Sequence, residues 1–200
     1  MIRGNKFRSL RCYNGVTMTD RGVPERETMR MANQISGASS QPRFMRKERF
    51  FLVGAQRYTD NGQASIVQAW DELLERLDEI PDRSEPAVMI GFEDYSRGCE
   101  LVPGQMPKFH YIAAAEVDRI TDVPDGLFSK EVQEAEYAVF SLRGPLSNIS
   151  GLFRYIYDEW LPASEYRLDP QMMADFEYYR EPVNDRNDAR VDIYIPIVPK

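Results

Sequence analysis

Histidine and cysteine are nearly absent from this chain of 200 residues, which has one histidine, His110, and two cysteines, Cys12 and Cys99. Neither cysteine has a second ligand at metal-binding spacing, so a structural zinc site and a disulfide framework are not expected. So sparse a use of thiols points to a reducing cytoplasm. No apolar run approaches the roughly 18 residues of a membrane span. The basic opening, MIRGNKFRSLRCYNG, lacks the apolar core of a signal peptide. Membrane insertion and secretion are thus not expected. Neither a phosphate loop nor a catalytic triad stands out, and no cofactor is expected.

What is present suffices for a core: 42% of the residues are hydrophobic and 12% aromatic. Charge is unevenly spread. Residues 1–49 hold 11 Lys/Arg against 4 Asp/Glu, leaving 14 against 28 in residues 50–200. The acidic part is the part patterned for folding. Its field repels nucleic acid and concentrates cations, so direct DNA binding by the folded domain is not expected. Residues 1–42 read as a basic arm or linker, with one short helix over 24–34 and a small-residue tract, SGASSQP, at 36–42. One such helix is too little for a helix-turn-helix domain.

From Arg43 the pattern is regular. RFFLVGA at 49–55 predicts a strand, and Asp60-Asn61-Gly62 a turn. A helix is predicted over 63–77, with Ile66, Val67, Trp70, Leu73, Leu74 and Leu77 at helical spacing and Pro81 beyond it. Strands follow at 87–95 and 108–117. The same order then recurs: a strand at 136–142, a helix over 146–161 carrying Leu152, Phe153, Ile156 and Trp160 and stopped by Pro162, and strands at 172–179 and 190–197. The segment 118–135 reads as a connector. FEDYS at 92–96 recurs as FEYYR at 176–180, with Tyr111 and Tyr194 at matching places in the strands that follow. The prediction is an α+β domain over 43–200. It is a tandem β-α-β-β repeat (half-repeats 43–117 and 127–200) with pseudo-two-fold symmetry, antiparallel sheets, packed helices and a central cleft.

Side chains alternate along a strand. The apolar face of Val191, Ile193, Ile195 and Ile197 is expected to meet the helix, with Phe92 and Phe176 also facing helices. Glu177, Tyr179, Asp192 and Tyr194 are expected together on the other face, with Glu93, Tyr95 and Tyr111 as first-half candidates for the same site, facing the axis between the halves. A carboxylate among aromatic rings in a concave site receives cations, each ring face adding about 0.5–2 kcal/mol. A solvated sheet face is the plainer alternative. Glu116, in AAAEV, is a further candidate, and the alanines beside it suit either close packing or a ligand. Trp160 reads as a core anchor or as a pocket wall. His110 reads as a partly buried strand residue.

The segments FHYIAAAEV (109–117), VPDGLF (123–128), YAVFSLRGP (137–145), YDEWLPASEY (157–166), DFEYY (175–179) and VDIYIPI (191–197) together resemble the GyrI-like, or effector-binding, domain. That domain occurs in gyrase-inhibitory proteins and in AraC-type and MerR-type multidrug regulators. The resemblance covers 43–200. It implies a two-fold β-α-β-β fold and a small amphipathic or cationic ligand, bound in the cleft by a buried glutamate and aromatic rings. By position these are Glu177 and Tyr194, with Asp192 as the neighbouring acid. Within the family's range are a sensor or sequestering protein, a hydrolase of cyclopropanoid compounds using Glu177, and a module that contacts gyrase or another protein. With no room for a DNA-binding domain in residues 1–42, the resemblance implies a free-standing protein.

Overall fold

The computed structural model describes residues 37–60, 62–100 and 107–200. The helix expected over 24–34 lies outside them. Nine antiparallel strands form one open sheet: β1 (Arg43–Lys47), β2 (Phe50–Tyr58), β3 (Met89–Asp94), β4 (His110–Val117), β5 (Phe128–Val132), β6 (Ala135–Gly144), β7 (Tyr166–Leu168), β8 (Ala174–Tyr179) and β9 (Ala189–Pro199). Helix α1 (Gln63–Arg76) follows β2. Helix α2 (Ile149–Tyr155) follows β6 and runs on through a π-helical turn, Ile156–Trp160, into a last α-helical turn, Leu161–Ala163. Pro162 sits inside that last turn instead of ending the helix. The wide π turn before it already interrupts the regular hydrogen-bond ladder that proline would break.

The sheet order is β1-β6-β9-β8-β3-β4-β2-β5, with β7 on β9. Each half contributes three strands in mirrored order, β6-β9-β8 and β3-β4-β2. They join in one continuous sheet. The junction is the β3–β8 pair, in which Phe92 lies opposite Phe176. The two repeated motifs are thus hydrogen-bonded neighbours, and the pseudo-two-fold axis passes between their phenylalanines. Strands β1 and β5 extend the pattern crosswise. β1 leads into β2 but pairs with β6, and β5 leads into β6 but pairs with β2. β5 lies within the segment expected to be a connector. Both are five-residue edge strands, RFMRK and FSKEV, whose charged positions hide the apolar signal of a strand.

Both helices lie on one face of the sheet. There Leu152, Phe153, Ile156 and Trp160 meet Val191, Ile193, Ile195 and Ile197 as expected, and Ala69 and Leu73 of α1 join the same core. The other face has no helix among the described residues, yet Phe50, Leu52, Ile90, Phe92, Tyr137, Phe176 and Tyr194 are buried on it. The sheet curls on itself. Phe50 of β2 reaches Phe176 of β8 at 5.6 Å between ring centroids, and Lys47 of β1 reaches Glu116 of β4 at 3.0 Å. No helix among the described residues is long and apolar enough to cross a membrane.

Candidate functional site

The register at the centre of the sheet decides where the acidic side chains go. Glu177 pairs with Ile193 across β8–β9, and Phe176 pairs with Tyr194. Glu177, Tyr179, Glu93 and Tyr95 therefore face the helices, while Phe92, Phe176, Asp192 and Tyr194 face away. This corrects two expectations. Glu177 does not share a face with Asp192 and Tyr194, and the phenylalanines, not the glutamates, point away from the helix layer. Each strand's alternation was readable; the offset between strands, which a one-residue slip reverses, was not.

On the helix side, α1 and α2 straddle β3 and β8 and leave a cleft of about 550 Å³ between them. Its floor is Glu93, Phe109, Tyr111, Glu177 and Tyr179. One wall is Ile66, Val67 and Trp70 of α1; the other is Ile149, Ser150 and Phe153 of α2 with Leu146 before it. Glu177 is 8% exposed. Its Oε2 accepts hydrogen bonds from the hydroxyls of Tyr179 at 2.9 Å and Tyr111 at 3.1 Å, and Trp70 Nε1 donates to the Tyr111 oxygen at 2.9 Å. The Trp70 ring meets Tyr179 edge-on at 5.4 Å. Gly91, opposite Glu177, leaves the space in which the Tyr111–Glu177 bond forms.

Burial pushes the Glu177 carboxyl up from its ordinary pKa, against the opposing pull of the two tyrosine donors. Burial also pushes the Tyr111 and Tyr179 phenols well up, so both remain neutral donors. Behind the cleft floor, Asp175 is fully buried and accepts a hydrogen bond from Tyr157, carried by the π turn; its Oδ2 also lies 3.4 Å from the hydroxyl of Tyr95, which donates to Glu93.

Carboxylates on the opposite face are held differently. Asp192 accepts from Arg43 at 2.8 Å and Arg180 at 3.3 Å, and Asp94 from Lys130 at 2.6 Å. Burial alone would raise both pKa values, but these cations, with Ser141 and Ser96, hold the carboxyls below the ordinary range. Glu116 pairs with Lys47. On the helix side, Glu177 has hydroxyl donors only among the described residues. Arg186 lines the rim of the cleft as an exposed residue and forms no ion pair with Glu177.

Of the residues expected at the site, Glu177, Tyr179, Glu93 and Tyr111 line the cleft, and Tyr95 bonds to Glu93 from just outside it. Asp192 borders a separate hollow of about 820 Å³ with Arg43, Tyr178 and Arg180. Tyr194 stacks on Phe176 at 4.5 Å on that same far side. Glu116 also lies there. Trp160 packs edge-on against Phe140 at 5.0 Å, as a core anchor away from the cleft. Trp70, Phe109, Phe153 and Asp175 were not among the expected site residues. The helical spacing that marked Trp70 and Phe153 as core also places them at the edge of the helix-to-helix gap.

Three comparisons bear on this geometry. The family model described as integron-associated effector binding protein matches residues 43–197. The transcriptional regulator BrlR of Pseudomonas aeruginosa is 32% identical over 159 residues, which is 78% of this chain and 54% of BrlR. The chain thus spans about half the length of that curated relative. The structure of SAV2435 bound to tetraphenylphosphonium superposes with a TM-score of 0.61 at 15% identity, covering 79% of this chain and 94% of that one. The EcmrR C-terminal domain gives 0.62 at 10% identity, covering 80% and 98%. With the family model running from β1 to β9 across both halves of the cleft, this chain belongs to the integron-associated effector binding protein family.

Proposed function

We propose that the cleft between α1 and α2 binds a small, apolar, positively charged molecule, with Glu177 as the counter-charge and Trp70, Tyr111 and Tyr179 as the aromatic lining. The observation that carries this reading is the state of Glu177. It is a buried carboxylate in a cleft, held by two tyrosine hydroxyls and matched by no cationic side chain among the described residues. Leaving such a charge without a counter-ion costs several kcal/mol. A ligand cation removes that cost, and rings within about 6 Å of it add cation–π attraction. The carboxylates on the other face have no such vacancy, because lysines and arginines of the chain already fill it.

Effector-binding relatives support the same reading, since SAV2435 is a protein of this fold with tetraphenylphosphonium bound. The likeness to BrlR supports the further proposal that ligand binding here serves transcriptional control. The test is titration of the protein with tetraphenylphosphonium, read by tryptophan fluorescence and calorimetry. Glu177→Gln should weaken binding tenfold or more, about 1.4 kcal/mol. Equal affinity in the two proteins would reject the role of Glu177.

A further inference from the structure

Asp175 lies two residues before Glu177 on the same face of β8, fully buried and outside the cleft lining. Among the described residues, the titratable groups facing it are Glu177 on its own strand, Glu93 of β3, Tyr95 just after β3, and Tyr157 from the π turn of the second helix. Among the described residues, no lysine or arginine faces Asp175 with them. Burial pushes the Asp175 carboxyl up to about 7; the charge of Glu177 adds to the rise, and the hydroxyls of Tyr157 and Tyr95 oppose it.

The contacts around Asp175 favour a proton on it in the empty protein. Tyr95 has one hydroxyl hydrogen and two carboxylates beside it: Glu93 Oε2 in the shorter contact and Asp175 Oδ2 at 3.4 Å. Donated to Glu93, that hydrogen leaves a phenol lone pair facing Asp175 Oδ2. The contact is then attractive only if Asp175 is the donor. The other oxygen, Asp175 Oδ1, is buried without a hydrogen-bond partner. An ionised carboxylate with a bare, buried oxygen is costly, whereas a neutral acid tolerates it better.

Resting on the reading of the cleft as a cation site, we propose that Asp175 is its proton-holding residue: it keeps a proton while the cleft is empty and releases it to solvent when a permanent cation settles at Glu177. The incoming positive charge favours the ionised form of every nearby carboxyl, and Asp175 is the one poised to ionise. One cation enters as one proton leaves, so the total charge of the buried region does not change. The exchange suits a permanently charged monocation with an apolar surface. Asp175 acts through Glu177 and Tyr95, and is a positioning residue for charge, not a ligand contact.

The test is calorimetric titration with tetraphenylphosphonium, which has no titratable proton, in two buffers of different ionisation enthalpy from about pH 5.5 to 8.5. Wild type should release up to one proton per ligand near about pH 6. Its affinity should rise by up to about tenfold per pH unit below pH 7 and level off above about pH 8. Asp175→Asn should bind with no proton release and a flat pH profile. Tyr157→Phe removes a donor to the ionised carboxylate, so its release should persist to higher pH than in wild type. That variant decides the matter if Asp175→Asn does not fold. Release that persists in Asp175→Asn, or that Tyr157→Phe leaves unmoved, overturns the proposal. Wild-type binding without release overturns it alone. No wild-type binding overturns the reading of the cleft and this proposal with it.

Discussion

A methyl group added at Gly91 would lie 2.1 Å from the Tyr111 hydroxyl oxygen and 2.7 Å from Glu177 Oε2. Glycine here is a packing requirement, imposed by the hydrogen bond that Tyr111 donates across β3 to β8. Gly91→Ala should therefore displace Tyr111 and part it from Glu177. The expected cost is about 1–3 kcal/mol of stability, together with weaker tetraphenylphosphonium binding, measured by thermal melting and by titration of the same sample. Much of the residue chemistry was legible in the sequence. An acid between aromatics, written twice, marked Glu93 and Glu177, and both line the cleft. The pairing of Asp175 with Tyr157 was not legible. It depends on a π turn that directs one helical residue toward the sheet, and the apolar spacing of 152–160 reads as an ordinary helix.

At the scale of elements, strand order and register separate the two sheet faces and their electrostatics. The long apolar strands and both helices announced themselves by period. The edge strands β1 and β5 did not, since three of the five positions in each are charged or polar. Those same charges close the curl of the sheet: Lys47 on β1 meets Glu116 on β4, with side chains 18% and 17% exposed. A double-mutant cycle of Lys47→Met and Glu116→Gln should give a coupling of about 1 kcal/mol in denaturant unfolding. Neither variant should change ligand affinity by more than about twofold, because this pair lies on the face away from the cleft. A tenfold loss of binding in Glu116→Gln would return that residue to the site. Its place in an apolar, alanine-rich strand made it a candidate from sequence alone. The absence of any register information left its partner unseen.

Across the whole molecule, the duplication was readable but its assembly was not. Matching spacings gave two units. Only the structure shows them sharing one sheet through β3 and β8, with a carboxylate from each unit on the cleft floor. The described fold begins before β1. Ala38 bridges Leu142, and the Ser39 N–H donates to the Ser141 carbonyl at 2.8 Å. A chain started at Gly37 should therefore keep the melting temperature and the tetraphenylphosphonium affinity of the full chain, whereas one started at Phe50 loses β1 and should unfold or aggregate. Side-by-side melts and titrations of the three proteins check this. Weaker binding by the Gly37 chain would assign the basic arm a part in recognition.

The crosswise placement of β1 and β5 also sets a timetable for synthesis. When Val117 leaves the ribosome, β2, β4, β3 and α1 are all available, yet β1 has no partner and both β2 and β3 have open edges. Those edges wait for β5 and β8, and β1 waits for β6. At ordinary translation speed the delay runs from about a second or two for β5 to on the order of ten seconds for β8. For that time the nascent chain displays the apolar side of β2 and β3, with Phe50, Leu52, Ile90 and Phe92 facing solvent rather than Phe176 and Tyr194. The first half of this protein is thus held in suspense by its own copy, and the conditions of its translation bear on its yield as directly as the stability of the finished fold.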